Sequence, residues 1–398
     1  MELCGLNDYS CCIIMFPPTE RGFPMTDVQQ QVSRTWQQYT IMHLNRRVAS
    51  IRSDGTCTIY AASFMPFNLY LEQTNDMDAR VNNLNNFYYW CASRVLTLDR
   101  KYAKEILNSI GAKQATTDKE RAAISLAYHC VTLTDVYWVK GYREQITYDA
   151  INLFDHSLSD AFVDVSLWGK ALTAQNAQLI AASDTAGDVA TQGAAPKAWV
   201  RRNGTFYLLK DGDEKEVDAE LLASRIARCF DVDQVLYEPF LYDGQKVSAS
   251  KLMTSKDFSI VPMEHVEIYA ANHNTDLFAL IRRYDLRSYC MMNIIDYLVG
   301  NTDRHWGNWG FLVDNKTNKP LRLFPLMDFN KAFQSYDTIE GSRCLTSQQP
   351  MSQMDAALEA VRMFGLNQKE EVKREWFSDP TQWEMFQKRF NILQSTGR

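Results

Sequence analysis

Apolar and polar positions change their period along the chain and divide it into three stretches. In the first, about residues 1–165, strand-like runs come early, at Cys57-Thr58-Ile59-Tyr60 and Phe67-Asn68-Leu69-Tyr70-Leu71. Helical spacing follows from Val81 to Gly111. It resumes at Asp118 and runs into the aromatic segment Leu133-Thr134-Asp135-Val136-Tyr137-Trp138. This stretch holds no nucleophile elbow, metal-ligand spacing or phosphate loop, and Arg94, Asp99 and Arg100 read as solvated or paired helix charges.

The second stretch, 166–262, is β-rich. Ala198-Trp199-Val200 and Thr205-Phe206-Tyr207-Leu208-Leu209-Lys210 flank Asn203-Gly204, the strongest short-range signal for a hairpin. A helix is predicted from about Val217 to Phe230, with Ala219, Leu222, Ala223, Ile226 and Phe230 on one face. Two more strands, Val235 to Leu241 and Lys246 to Met253, surround an Asp243-Gly244 turn.

The third stretch, 263–398, is mainly helical. Asp276 to Tyr284 and Arg287 to Val299 are densely apolar, and Gly300 is the predicted stop. After a loop, Trp309 to Val313 and Leu321 to Leu326 alternate apolar positions around a polar tip at Asp314 to Lys319, a second hairpin. Met351 to Met363 and Trp383 to Leu393 read as closing helices. The fold class expected is α+β: a small sheet with one helix, then a helical body carrying a loop and a hairpin, preceded by an additional α+β region.

Composition narrows what such a chain does. The formal net charge of −6 disfavours coating nucleic acid or docking constitutively on an anionic membrane, both of which need clustered cations. Nine cysteines, an odd number with no C-x-x-C pair, read as reduced thiols and not as a disulfide framework or zinc site. The first residues are too polar for a signal peptide and no window is long and apolar enough to span a bilayer. A cytoplasmic location is expected.

The chemistry concentrates between Asn301 and Asp328. Asp303-Arg304-His305-Trp306-Gly307-Asn308 follows the long apolar helix, and its Asp-to-Asn spacing of five is that of a phosphotransferase catalytic loop. Such a loop turns its Asp toward the acceptor hydroxyl and its Asn amide oxygen toward a metal ion. Asp328 lies 20 residues beyond Asn308, after the hairpin, where a carboxylate supplies a second metal ligand. Each feature alone is ordinary turn chemistry; their order after one apolar helix is what gives them weight.

The upstream lobe offers partners. Lys210 closes a strand from which one Lys can reach α/β-phosphates, although a strand-end lysine is commonly only snorkelling. Glu220 on the next helix can pair with it, with Glu216 one turn earlier as the rival. Gly193 and Lys197 sit in a short loop where backbone amides can approach phosphate, a pattern a plain surface turn also produces.

The run Gly300-Asn301-Thr302-Asp303-Arg304-His305-Trp306-Gly307-Asn308, followed by Pro325-Leu326-Met327-Asp328, resembles the HipA-like serine/threonine kinase family, which shows G-N-T-D-x-H-x-x-N and then P-L-x-D. Its D-R-H-x-x-N form is also similar to the phosphoinositide-kinase branch of the same superfold. The resemblance covers roughly residues 185–335 and implies a two-lobed fold, with lobes at 166–262 and 263–398 and a separate region at 1–165. It implies ATP and Mg²⁺ as cofactors, Asp303 as catalytic base and a loop-supporting role for His305. Asn308 and Asp328 become metal ligands, and Gly193, Lys197, Lys210 and Glu220 the nucleotide site. Lys251 and Met253 fall where an adenine-contacting hinge belongs. The chain carries Ala190 where the family has an autophosphorylated serine.

A protein substrate is the implied partner, with an antitoxin or regulatory protein as another, and no nucleic acid or membrane. Two other readings are a lipid or small-molecule kinase, and a nucleotide-binding pseudokinase that holds a partner.

Overall fold

Three antiparallel sheets carry the β-structure of the computed structural model, which describes residues 37–95, 106, 117–156, 196–210, 214–334 and 338–396. All of these lie in one unit running from Trp36 to Arg398. The architecture is mixed α and β.

The first sheet is built from β1 (Gln38–His43), β2 (Arg46–Arg52), β3 (Cys57–Ile59) and β4 (Tyr137–Gly141), in the order β3-β2-β1-β4. Helices α1 (Met77–Ala92) and α2 (Asp118–Ala127) accompany it, and Ile41, Ile51, Phe87 and Trp90 form its core. Asp76 caps α1 by accepting from Ala79 N at 2.8 Å, and Thr117 with Glu120 makes a capping box on α2.

Two expectations fail here. Phe67 to Leu71 is not a strand, and the aromatic segment does not continue a helix. The Asp135 carboxylate takes the Tyr137 amide at 2.8 Å and turns the chain, so that Tyr137 pairs with His43 across the sheet. Helix α1 begins before Val81 and ends at Ala92, and residues 96–105 and 107–111 of the predicted helix lie outside the described residues. A one-turn helix, α3 (Tyr148–Ile151), closes this region.

The second sheet follows the sequence closely. Strands β5 (Lys197–Arg202) and β6 (Thr205–Lys210) form the expected hairpin, with Asn203 and Gly204 at φ 50° and 77°. Positive φ at both central residues is the type I′ signature that matches strand twist. Helix α4 (Glu214–Ala227) leads to β7 (Tyr237–Tyr242) and β8 (Gln245–Lys251), giving the order β5-β6-β8-β7. Ala219, Ala223 and Ile226 of α4 are buried against the core of the helical body.

The third sheet adds a strand the sequence reading did not place. β9 (Phe258–Pro262) pairs with β10 (Gly310–Asp314), which pairs with β11 (Lys319–Leu323). Gly310 has no substitute: a Cβ there would stand 2.1 Å from the Val261 carbonyl oxygen. From β9 the chain enters α5 (Met263–Asn272) and then α6 (Leu277–Val299).

Helix α6 is kinked at Asp285 (φ −165°, ψ 66°), between the two apolar runs read from sequence. The Asp285 carboxylate accepts from Ser288 N at 3.0 Å and from Leu323 N at 3.1 Å, so one side chain caps the second half of the helix and ties it to β11. Residues from Tyr289 to Val299 are almost continuously buried, and Gly300 ends the helix in the left-handed region (φ 62°). Helices α7 (Gln353–Phe364) and α8 (Pro380–Thr396) close the body.

The first sheet is seated on the third. Tyr137 Oη donates to Asn318 Oδ1 at 3.1 Å, and Asn318 Nδ2 donates to the carbonyls of Ser63 and Met65 at 3.0 and 3.2 Å. Among the described residues no helix is long and apolar enough to cross a membrane.

Candidate active site

The end of β6, the middle of α4 and the turn after β11 bring three charged side chains together. Lys210 Nζ donates to Glu220 Oε1 at 2.9 Å and to Asp328 Oδ1 at 3.1 Å. Glu220 is 1% exposed and is further held by Ser248 Oγ, which donates to Oε2 at 2.5 Å. Burial works against the Lys210 charge. The Asp328 and then the Glu220 carboxylate outweigh it and hold the ammonium well above its usual range. Burial likewise opposes the Asp328 charge, but Lys210, then Lys197, bring its carboxyl down to about 2. Glu216, the sequence-level rival, instead pairs with Lys331.

The loop after α6 is fixed from behind. Arg304 is 3% exposed and grips Asp296 of α6 with two hydrogen bonds of 2.9 Å, from Nε to Oδ2 and from Nη2 to Oδ1. Its Nη1 donates to the Asn308 carbonyl at 3.1 Å and to the Met327 carbonyl. One guanidinium therefore joins helix, loop and the residue before Asp328, a bidentate task that Lys cannot perform. Asn301 repeats the link, donating from Nδ2 to Asp296 Oδ1 at 3.0 Å and to the Asp328 carbonyl at 3.4 Å.

Within the loop, Asn308 Nδ2 donates to the Asp303 carbonyl at 3.0 Å. With the amide nitrogen so engaged, the oxygen is the atom left for a cation. The Asp303 side chain is half-buried, and among the described residues its carboxylate takes no hydrogen bond. His305 is exposed, and its Nδ1 accepts from Gly307 N at 3.0 Å, which shapes the loop. The donors on offer to a metal, Asn308 and Asp328, are hard oxygens, the set Mg²⁺ prefers. Among the described residues no group of three or more His, Cys, Asp or Glu could hold a metal ion.

The other sequence candidates are placed less tightly. Lys197 is buried and lies opposite Lys210 in the β5–β6 register. Lys251 ends β8 with its side chain exposed, and Met253 packs at the margin of the main core. Gly193 lies outside the described residues. A cavity of about 500 Å³ occurs elsewhere, between Ile59–Leu71, α5 and the β10–β11 tip, and none of the candidate residues lines it.

Sequence reasoning assigned no role to Arg304, Asp296, Ser248 or Tyr237. For Arg304 the signal was its place inside the D-R-H run. Asp296 lies within eight residues of its partners Asn301 and Arg304, but inside an apolar helical run that marks it for nothing. For Ser248 and Tyr237 no local pattern exists, because their partners are 27 or more residues away.

No protein-family model matches the chain, and no curated protein sequence matches it. Among solved structures it is similar to the crystal structure of a Helicobacter pylori proinflammatory kinase, CtkA. The two are 14% identical with a TM-score of 0.42, over 52% of this chain and 91% of that one. At that level the likeness assigns neither fold nor activity.

Proposed function

We propose that the chain is an ATP- and Mg²⁺-dependent phosphotransferase, a HipA-like protein serine/threonine kinase. The observation that carries this reading is the buried Lys210–Glu220–Asp328 cluster, tied by Arg304 and Asn301 to the Asp303–Asn308 loop. In this reading residues 166–262 and 263–398 are the two lobes, with the nucleotide between them, and 1–165 is an appended region.

Phosphoryl transfer asks for positioning and charge neutralisation more than for covalent chemistry. Lys210, oriented by Glu220, meets the α/β-phosphates. Asn308 and Asp328 would hold Mg²⁺, which would supply charge neutralisation to the phosphates. Asp303 accepts the proton of the acceptor hydroxyl as that oxygen bonds to the γ-phosphorus and the bond to the β-phosphate oxygen breaks, releasing ADP. Arg304, buried and paired, takes no part in transfer and holds the loop in register.

The test is incubation of the full chain with γ-labelled ATP, Mg²⁺, a protein extract and lipid vesicles. Label on protein serine or threonine is the expected outcome. Label confined to lipid makes the chain a lipid kinase, and ATP binding without transfer makes it a pseudokinase.

A further inference from the structure

Tyr237 opens β7, opposite Ser250 of β8, and is 8% exposed within the main core. A buried tyrosine at a strand start is ordinarily a core residue whose ring supplies the stabilisation. Here the hydroxyl is placed where a phenylalanine could do nothing. It accepts the Asp328 main-chain N–H at 3.0 Å and the Lys210 ammonium at 3.5 Å, while Lys210 Nζ stands 5.2 Å from the ring centroid. A phenol oxygen accepts as well as donates, and the Asp328 amide, at the shorter distance, is the principal donor to it.

The Asp328 backbone makes that contact consequential. Asp328 has φ 61°, a left-handed conformation that is costly for a non-glycine residue and persists only where the surroundings hold it. The Met327 carbonyl is held by Arg304 and the Asp328 carbonyl by Asn301, both from the loop side. From the β7 side the amide between them is held by Tyr237.

We infer that Tyr237 is a positioning residue for the metal–nucleotide site: its hydroxyl fixes the left-handed backbone of Asp328 and the ammonium of Lys210 in one geometry. This rests on the phosphotransferase reading, since it assigns Asp328 to the metal and Lys210 to phosphate. With the hydroxyl gone, the Asp328 amide is left without its partner, the backbone relaxes, and the carboxylate swings from the position a divalent cation requires.

The experiment compares wild type with Tyr237→Phe in the full chain, measuring ATP affinity by calorimetry across a Mg²⁺ series, with a thermal melt of each. The expected result is a roughly tenfold rise in the Mg²⁺ concentration that gives half-maximal enhancement of ATP binding, the effect of one hydrogen bond. Metal-free ATP affinity should change little, because Lys210 keeps its shorter contacts to Glu220 and Asp328. A tyrosine that only fills the core, or whose hydroxyl serves stability alone, would leave the Mg²⁺ requirement of the folded protein unchanged whatever the melting temperature, which overturns the inference. A wild type with no Mg²⁺-enhanced ATP binding would overturn the inference and the phosphotransferase reading together. If Tyr237→Phe does not fold, amide exchange at Asp328 in the wild type decides. Strong protection is expected, and exchange at the rate of an exposed amide contradicts the assignment.

Discussion

Lys210 and Asp328, 118 positions apart in the chain, meet at 3.1 Å with their side chains 10% and 20% exposed. The pair joins the hairpin sheet to the helical body. Replacing Lys210 by Met leaves Glu220 and Asp328 as neighbouring carboxylates without the cation that compensates their burial. Breaking a buried pair from one side costs about 3 kcal/mol. Lys210→Met should therefore lower both stability and ATP affinity. Chemical denaturation and calorimetry on the same sample check this, and a variant as stable as wild type would contradict the cluster's role.

Arg304→Lys keeps the charge and loses the fork. It can hold one of the two Asp296 oxygens but not also the Asn308 and Met327 carbonyls. The expected outcome is a loss of stability of about 2–4 kcal/mol, with phosphate transfer reduced at least tenfold in the protein that remains folded. Retained transfer would show that the loop keeps its geometry without the brace.

Acid should destabilise the N-terminal sheet before it affects the site. His43 in β1 is 2% exposed, with Nε2 buried and unpartnered. Burial pushes it down to about 4, a shift that Arg46 reinforces and Asp135 opposes. Burial pushes His265 in α5 down to about 4 as well. For a histidine lowered on folding, the unfolded chain binds the extra proton. Stability is thus complete above pH 6.5 and declines toward pH 4, by about 3 kcal/mol for His43 alone. Melting temperature measured from pH 7.5 to 4.5 should fall more steeply for wild type than for His43→Gln. Parallel curves would contradict the assignment.

What could be read from sequence follows from where the signal is local. Asn203-Gly204 and Asp243-Gly244 announced their hairpins because positive φ restricts residue choice, and Gly300 announced the end of α6 for the same reason. The Asp303-to-Asn308 spacing and the following Asp328 were visible because one short loop and one hairpin carry them. β1 and β2 were missed. Their central residues are buried on both faces, so no alternation appears. Their turn places Leu44 at φ 50°, with no glycine to mark it. The segment before β4 read as helix because its strand pairing is with a partner about 95 residues upstream. Tyr237 could not have been found from any motif, since its role is defined by Lys210 and Asp328 arriving at its hydroxyl.

Transfer of the γ-phosphate by Asp303→Ala, measured against wild type on samples whose ATP affinity is determined in parallel, tests the central claim most directly. The proposed mechanism predicts that Asp303→Ala binds Mg²⁺–ATP within about twofold of wild type, because it gives Asp303 neither metal nor phosphate to hold. Its transfer rate should fall at least a hundredfold, the usual contribution of a positioned general base. Transfer at the wild-type rate would contradict the account.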